Sequence, residues 1–152
     1  MSLTIALAAP EDLEEILALQ HLAFHREGEL YNDFSIPPLA QTLEGIRADF
    51  PNKVFLKASM AGTLVGSVRG FQEGDTCFVE RLMVHPDRQK RGIGAALLRA
   101  IEERFPNAHR FELFTGYKSE NNIRLYRKLG YSEVKREGIV ILMATTRQER
   151  AL

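Results

Sequence analysis

Cysteine is nearly missing from this 152-residue chain, and tryptophan is missing altogether. The single Cys77 excludes an intramolecular disulfide, the usual staple of small secreted domains, and sets the expectation of a reducing, cytoplasmic setting. Long apolar runs are absent too. Nothing approaches the roughly 20 residues that cross a bilayer, and no basic flank precedes an apolar stretch near residue 1, so no membrane segment or leader is expected. Net charge is also absent, with 20 Lys+Arg against 20 Asp+Glu. Neutrality excludes a general nucleic-acid binder, which needs a basic face on a basic domain. Linkers, low-complexity tracts and internal repeats do not occur. What remains is 45% hydrophobic and 26% charged, the composition of an ordinary folded globule. The length suits a single domain, residues 1–152, burying roughly 70% of the unfolded chain's surface.

The zero charge conceals a polarity. Residues 1–52 hold nine acids (Glu11, Asp12, Glu14, Glu15, Glu27, Glu29, Asp33, Glu44, Asp49) and two bases (Arg26, Arg47), a balance of −7; residues 53–152 carry +7. This separation suggests two ligand-facing regions of opposite sign.

Hydrophobic periodicity orders the chain. Leu3–Ala8 is a short apolar strand. Pro10 opens a helix where its missing N–H costs nothing, and Glu11, Asp12, Glu14 and Glu15 favour the positive end of the helix dipole. Leu13, Ile16, Leu17, Ala23 and Phe24 keep helical spacing to about Arg26. Glu27–Pro37 is rich in loop formers, and Pro38 starts a second helix with Leu39, Leu43, Ile46 and Phe50 on one stripe. From Lys53 the texture turns to strands: Val54–Ser59, Thr63–Gln72 and Thr76–Val84, joined by the tight turns Ala61-Gly62 and Gly74-Asp75. A basic loop after Pro86 leads into a helix from about Gly92 to Phe105. Arg110–Thr115 is a fifth strand, Asn122–Leu129 a short helix ended by Gly130, and Ser132–Arg136 with Ile139–Thr145 a closing hairpin. The order β-α-α-β-β-β-α-β-α-β-β describes an α/β or α+β sheet with helices packed on it.

Phe78–Ala96, FVERLMVHPDRQKRGIGAA, carries the clearest chemistry. A strand runs through a basic loop into two glycines at a helix start, where free N–H groups make an anion site. Arg88, Lys90 and Arg91 add positive charge. A P-loop would need Gly-Lys-Ser/Thr, but Gly94-Ala95-Ala96 stands there. A dinucleotide fingerprint would need a third glycine, where Leu97 stands, and glycines directly after the strand.

A third reading fits. Glu80-Arg81-Leu82-Met83-Val84, His85-Pro86 and Gln89-Lys90-Arg91-Gly92-Ile93-Gly94 resemble the GNAT superfamily of acyl-CoA-dependent N-acetyltransferases, with its Gln/Arg-x-x-Gly-x-Gly/Ala pattern after a Val-x-Pro strand end. Ile123-Arg124-Leu125-Tyr126-Arg127-Lys128-Leu129-Gly130-Tyr131 is similar to the family's C-terminal helix motif, and the element order matches along nearly the whole chain. The resemblance implies a mixed, mostly antiparallel sheet of about seven strands with about four helices. It implies acetyl-CoA as cosubstrate, no metal, and as acceptor a primary amine on a small molecule or a peptide. The backbone of Leu82, Met83 and Val84 would pair with the pantetheine arm like an added strand. The amides of Gln89, Lys90, Arg91, Gly92, Ile93, Gly94 and Ala95 would hold the pyrophosphate, the glycines leaving room for it. The family's pantetheine-contacting asparagine is replaced here by Ser119, so Ser119, Asn121, Asn122 or a water takes that contact. Family members often dimerise, which leaves a homodimer open.

Acetyl transfer needs a neutral amine, and a lysine-like amine is only roughly 0.04% neutral at pH 7, a handicap of about 4–5 kcal/mol. Glu80 is the candidate general base: a period of two places it with Phe78, Leu82 and Val84, and apolar neighbours raise a carboxyl towards neutrality. Its other reading is a pairing with a nearby Arg at the sheet surface. Tyr126 is the candidate acid for the departing thiolate, on a helix the family places beside the sulfur; otherwise it is a packed aromatic. The first two helices and their loop form acceptor pockets in this family, so Glu27, Glu29 and Asp33 are expected to draw in a cationic amine. Cys77 alternates to the face opposite Glu80 and reads as core, not nucleophile. His21 and His25, with Glu29, read as a solvated face in the absence of a His-Glu-x-x-His pattern. Gln20 breaks an apolar stripe, as a pocket residue or a partly exposed one. The rival function is a non-catalytic acyl-CoA-binding or sensing module.

Overall fold

The computed structural model describes residues 2–150. Strands β1 (Leu3–Leu7), β2 (Val54–Met60), β3 (Thr63–Glu73), β4 (Thr76–Val84), β5 (Arg110–Gly116), β6 (Ser132–Glu137) and β7 (Val140–Thr146) form one sheet, in the order β1-β2-β3-β4-β5-β7-β6. Every neighbouring pair is antiparallel except β4 with β5. A parallel pair needs a crossover, and helix α4 (Ile93–Glu103) supplies it. The class expected from the sequence, a mixed and mostly antiparallel sheet of seven strands, is the one observed.

Two cores flank the sheet. On one face α4 brings Ile93, Leu97, Leu98 and Ile101 onto Leu56, Val68, Cys77, Val79 and Phe111, and Tyr126 joins them from α5 (Glu120–Lys128). On the other, α1 (Leu13–Tyr31) and α3 (Leu43–Asp49) pack Leu13, Ile16, Leu19 and Ile46 against Phe55 and Met83. Full burial of each such side chain contributes roughly 1.5–3 kcal/mol.

Four local expectations need correction. The first helix runs past Arg26 to Tyr31, where left-handed Asn32 ends it. Gly28 lowers local helix propensity, but a β-carbon there would lie 2.6 Å from Phe34 Cδ1 and 2.8 Å from Leu39 Cδ1, so the following loop folds down onto it. The expected second helix is two, α2 (Pro37–Ala40) and α3, because Gln41 is extended and Thr42 caps α3 by accepting from the Gly45 N–H at 3.1 Å. A short α6 (Arg147–Arg150) follows β7, bringing the helices to six among the described residues. It is pinned by charge: Arg150 donates to both oxygens of Glu102 at 2.7 Å, and Tyr131 donates to Glu102 at 2.6 Å.

The fourth concerns Glu80. The β3–β4 register slips between Ser67 and Arg69, which face Met83 and Glu80, so Val68 opposes two residues. Arg81 forms this bulge at φ 52°. Beyond it the strand's faces exchange: Leu82 and Val84 pack on the α4 side and Met83 on the α1 side. Glu80 therefore keeps company with Phe78, not with Leu82 and Val84.

Candidate active site

β4 and β5 run as a ladder only from Thr76–Arg110 to Val79–Leu113. Above that level β5 stays with β7 through Gly116, and β4 stays with β3 through Val84. The two central strands therefore part, and the backbone of Glu80–Val84 has no ladder partner on its β5 side. Leu82, Met83 and Val84, the residues expected to receive a pantetheine arm, form this free edge. One acceptor there is already in use, since the Gln89 side-chain amide donates to the Val84 carbonyl at 2.9 Å.

The loop above the edge turns through Lys90 at φ 63° and Gly92 at φ 80° into α4. The first N–H groups of α4 have no partner within the helix, and left-handed residues beside them make a concave donor surface for an anion. Lys90 and Arg91 are exposed there. The two glycines serve different needs. A β-carbon on Gly92 would touch nothing, so its left-handed backbone is the requirement; one on Gly94 would lie 3.2 Å from Leu125 Cδ2, so Gly94 lets α5 approach. Strand edge, helix start and basic loop together fit a CoA-like molecule: extended amide-bearing arm along β4, phosphates at Gly92–Ala95.

Tyr126 is buried from α5 into the same core. Burial, reinforced by the Glu27 carboxylate, pushes its hydroxyl well above the usual tyrosine value, so it stays protonated throughout the working range. Ser119, the residue before α5, is buried and donates to Glu27 Oε2 at 2.6 Å. Asn121 is exposed and Asn122 half-buried in the first turn of α5.

The end of α1 is clamped to this turn. The Lys118 N–H donates to the Tyr31 hydroxyl at 2.9 Å, and Tyr31 lies over Gly116, where a β-carbon would come within 2.8 Å of the ring. Glu27 thus points at Ser119, and its charge reaches the Tyr126 hydroxyl. Glu29 faces His25 at 3.8 Å, and Asp33 accepts from the Ser35 N–H and hydroxyl. The three acids expected to line one acceptor cleft are directed to three separate protein partners.

Glu80 lies just above the parting, on the α1 side. Its neighbours are not the expected apolar set: Lys53 Nζ donates to Oε1 at 2.6 Å, and Arg69 stands opposite on β3. Its side chain is 32% exposed. Behind it lies a network that sequence reasoning missed. Arg69 is 1% exposed, covers Phe55 at 4.6 Å, and donates to Gln20 and to Gln41 Oε1 at 3.2 Å. Gln20 is fully buried and also donates to Pro38 O at 2.8 Å; its break in the apolar stripe was the only sign of the network. Burial beside the Arg81 charge pulls Arg69 down to about 10, still cationic at neutral pH. His21 is half-buried against the Gln41 carbonyl at 3.0 Å rather than on a solvated face. Cys77 is buried as expected.

The Acetyltransferase (GNAT) family pattern matches residues 12–131, and the chain belongs to that family of acetyltransferases. Over 121 residues it is 29% identical to the protein YqkA of Bacillus subtilis, covering 80% of this chain and 35% of YqkA. Over 80 residues it is 34% identical to an acetyltransferase of Sodalis glossinidius, covering 51% of this chain and 56% of that protein. The chain thus spans between a third and somewhat over half of these relatives. A crystal structure of PaiA N-acetyltransferase from Thermoplasma acidophilum in complex with coenzyme A shares the fold with a TM-score of 0.84, at 18% identity over 96% of this chain and 99% of that one. No helix among the described residues is long and apolar enough to cross a membrane.

Proposed function

We propose that the chain, read as one GNAT unit over residues 1–152, moves the acetyl group of acetyl-CoA directly to a primary amine. The parting of β4 from β5 beyond Val79 and Leu113 carries this reading. It leaves a free strand edge beside an anion-binding helix start on one face and opens to Glu80 on the other. Leu82–Val84 align the pantetheine arm, the N–H groups from Gln89 to Ala95 hold the pyrophosphate, and Ser119 with Asn122 borders the arm from the α5 side.

Thioester substrate supplies an activated acyl carbon; the chain supplies position and proton traffic. Glu80 takes a proton from the ammonium, directly or through one water, which offsets the cost of finding a neutral amine at pH 7. The amine nitrogen bonds to the acyl carbon and loses its surplus proton to water as the carbon–sulfur bond breaks; solvent afterwards restores the Tyr126 proton and takes the one on Glu80. Tyr126, held protonated by burial, gives its proton to the leaving sulfur. No covalent enzyme intermediate is needed, in keeping with a buried Cys77 whose thiol is pushed up to about 12.

Thiol release from acetyl-CoA, followed across a panel of amines, tests the reading. Release that depends on an amine is expected. CoA binding with no release for any amine overturns it in favour of the sensing module.

A further inference from the structure

The α1-side face around Glu80 carries three cations, Lys53, Arg69 and Arg81, against two carboxylates, Asp49 and Glu80. Four of the five are paired. Lys53 reaches Glu80 at 2.6 Å and Asp49 at 3.7 Å; Arg69 reaches Asp49 at 3.7 Å besides its two glutamines. Gln41 donates to Asp49 at 2.9 Å. Arg81 enters none of the ion pairs within 4.0 Å among the described residues, and its Nε is enclosed without a hydrogen-bond partner. Glu80 and Asp49 act on its charge only from a distance, and Arg69 opposes it.

Backbone geometry singles out the same residue. Arg81 holds φ 52° in the bulge immediately after Glu80, at the level where β4 has left β5. A left-handed non-glycine residue costs about 1–2 kcal/mol, and bulges beside active sites re-aim side chains. A half-buried guanidinium without an anion, next to a second guanidinium, is a charge arrangement that a bound anion completes. Its planar fork matches a carboxylate with two parallel hydrogen bonds.

Resting on the acetyltransferase reading above, we propose that the acceptor is a small primary amine that also carries a carboxylate, and that Arg81 receives this carboxylate while Glu80 receives the amine. The bulge breaks the alternation that sends consecutive strand residues to opposite faces, and Asp49, which shares Lys53 with Glu80, also acts on the Arg81 charge, so one small molecule spans both.

The test compares L-amino acids with their amides and with putrescine in the thiol-release assay, for the wild type, Arg81→Met and Arg81→Lys. In the wild type, kcat/KM for the best free acid should exceed that of its amide by at least about tenfold. Arg81→Met should bring that ratio close to one through the acceptor's KM, and Arg81→Lys should restore part of it. CoA binding by calorimetry reports whether each variant has folded. Turnover of amides or putrescine as fast as free acids overturns the carboxylate assignment and leaves the transferase reading standing. Should no amine release thiol, that reading fails, and titration of N-acetyl-L-alanine against its amide into CoA-saturated protein decides the site. Heat with the acid alone, lost in Arg81→Met, supports it; no heat with the acid overturns it.

Discussion

The two sides of the proposed reaction centre are made of different material. On the cofactor side the chain offers backbone: the free edge of Leu82–Val84, the left-handed turns at Lys90 and Gly92, and the N–H groups opening α4. On the acceptor side it offers side chains: Gln20, Gln41, Asp49, Lys53, Arg69, Glu80 and Arg81, most of them holding one another. A backbone surface depends on conformation, so few residue types are fixed and their spacing is short. A side-chain surface depends on identity, and each buried charge must have a partner or leave its desolvation cost standing. The first is suited to a substrate common to a whole family, the second to whatever differs between its members.

If that division is right, the largest losses come from the proton-transfer pair where the two sides meet. Tyr126→Phe should lower kcat by about 10²-fold with the KM for acetyl-CoA little changed, since the hydroxyl acts on the leaving sulfur rather than on binding. A wild-type rate in that variant removes the acid role. Glu80→Gln should move activity to higher pH, where solvent rather than the protein deprotonates the amine; an unchanged profile removes the base.

A smaller effect separates backbone from side chain. Gly92→Ala adds a β-carbon that meets nothing, so its whole cost is conformational, about 1–2 kcal/mol against the left-handed backbone. The KM for acetyl-CoA should rise by about tenfold, with the free acid over amide preference intact. A lost preference would show that the two sides are not independent. Glu27→Gln probes the join between them. Removing the carboxylate that accepts from the buried Ser119 should loosen the start of α5 and raise the KM for acetyl-CoA by about twofold, with kcat unmoved because burial alone keeps Tyr126 protonated; an unchanged KM would leave the clamp no part in cofactor binding.

The same contrast explains what could be read in the sequence. Gln89–Gly94 and Ile123–Tyr131 declare themselves because backbone sites need glycine and fixed spacing, and because alternation and helical period are local. Arg69 reads as one more strand residue, and its partners Gln20, Gln41 and Asp49 lie 49, 28 and 20 positions away. Only the sheet register brings them together. The bulge at Arg81 hides for a related reason. A period-of-two reading of Phe78–Val84 assumes an unbroken pleat, and nothing short of the pairing with β3 reveals the extra residue that sends Leu82 and Glu80 to opposite faces.

Cys77 marks the floor beneath both sides, where β4 is still paired with β5. If the parting begins only above Val79, water does not reach this thiol. Burial then raises it from 9.0 to about 12. Between those values the unfolded chain has lost the thiol proton and the folded chain has kept it, so the folded state binds more protons and stability falls as pH rises. The fall begins above pH 9 and reaches at most about 1.4 kcal/mol per pH unit. Cys77→Ala removes that share; Tyr126 and Arg69 titrate alike in both proteins, and Tyr131, on which the thiol acts, is held protonated at pH 10 by burial and Glu102 in either, so their contributions cancel in the difference. Urea unfolding at pH 8 and pH 10 should therefore show the wild type losing about 1 kcal/mol more than the variant. Equal losses would mean that solvent enters the paired part of the sheet, and the boundary between sealed floor and open cleft would have to be drawn below Cys77.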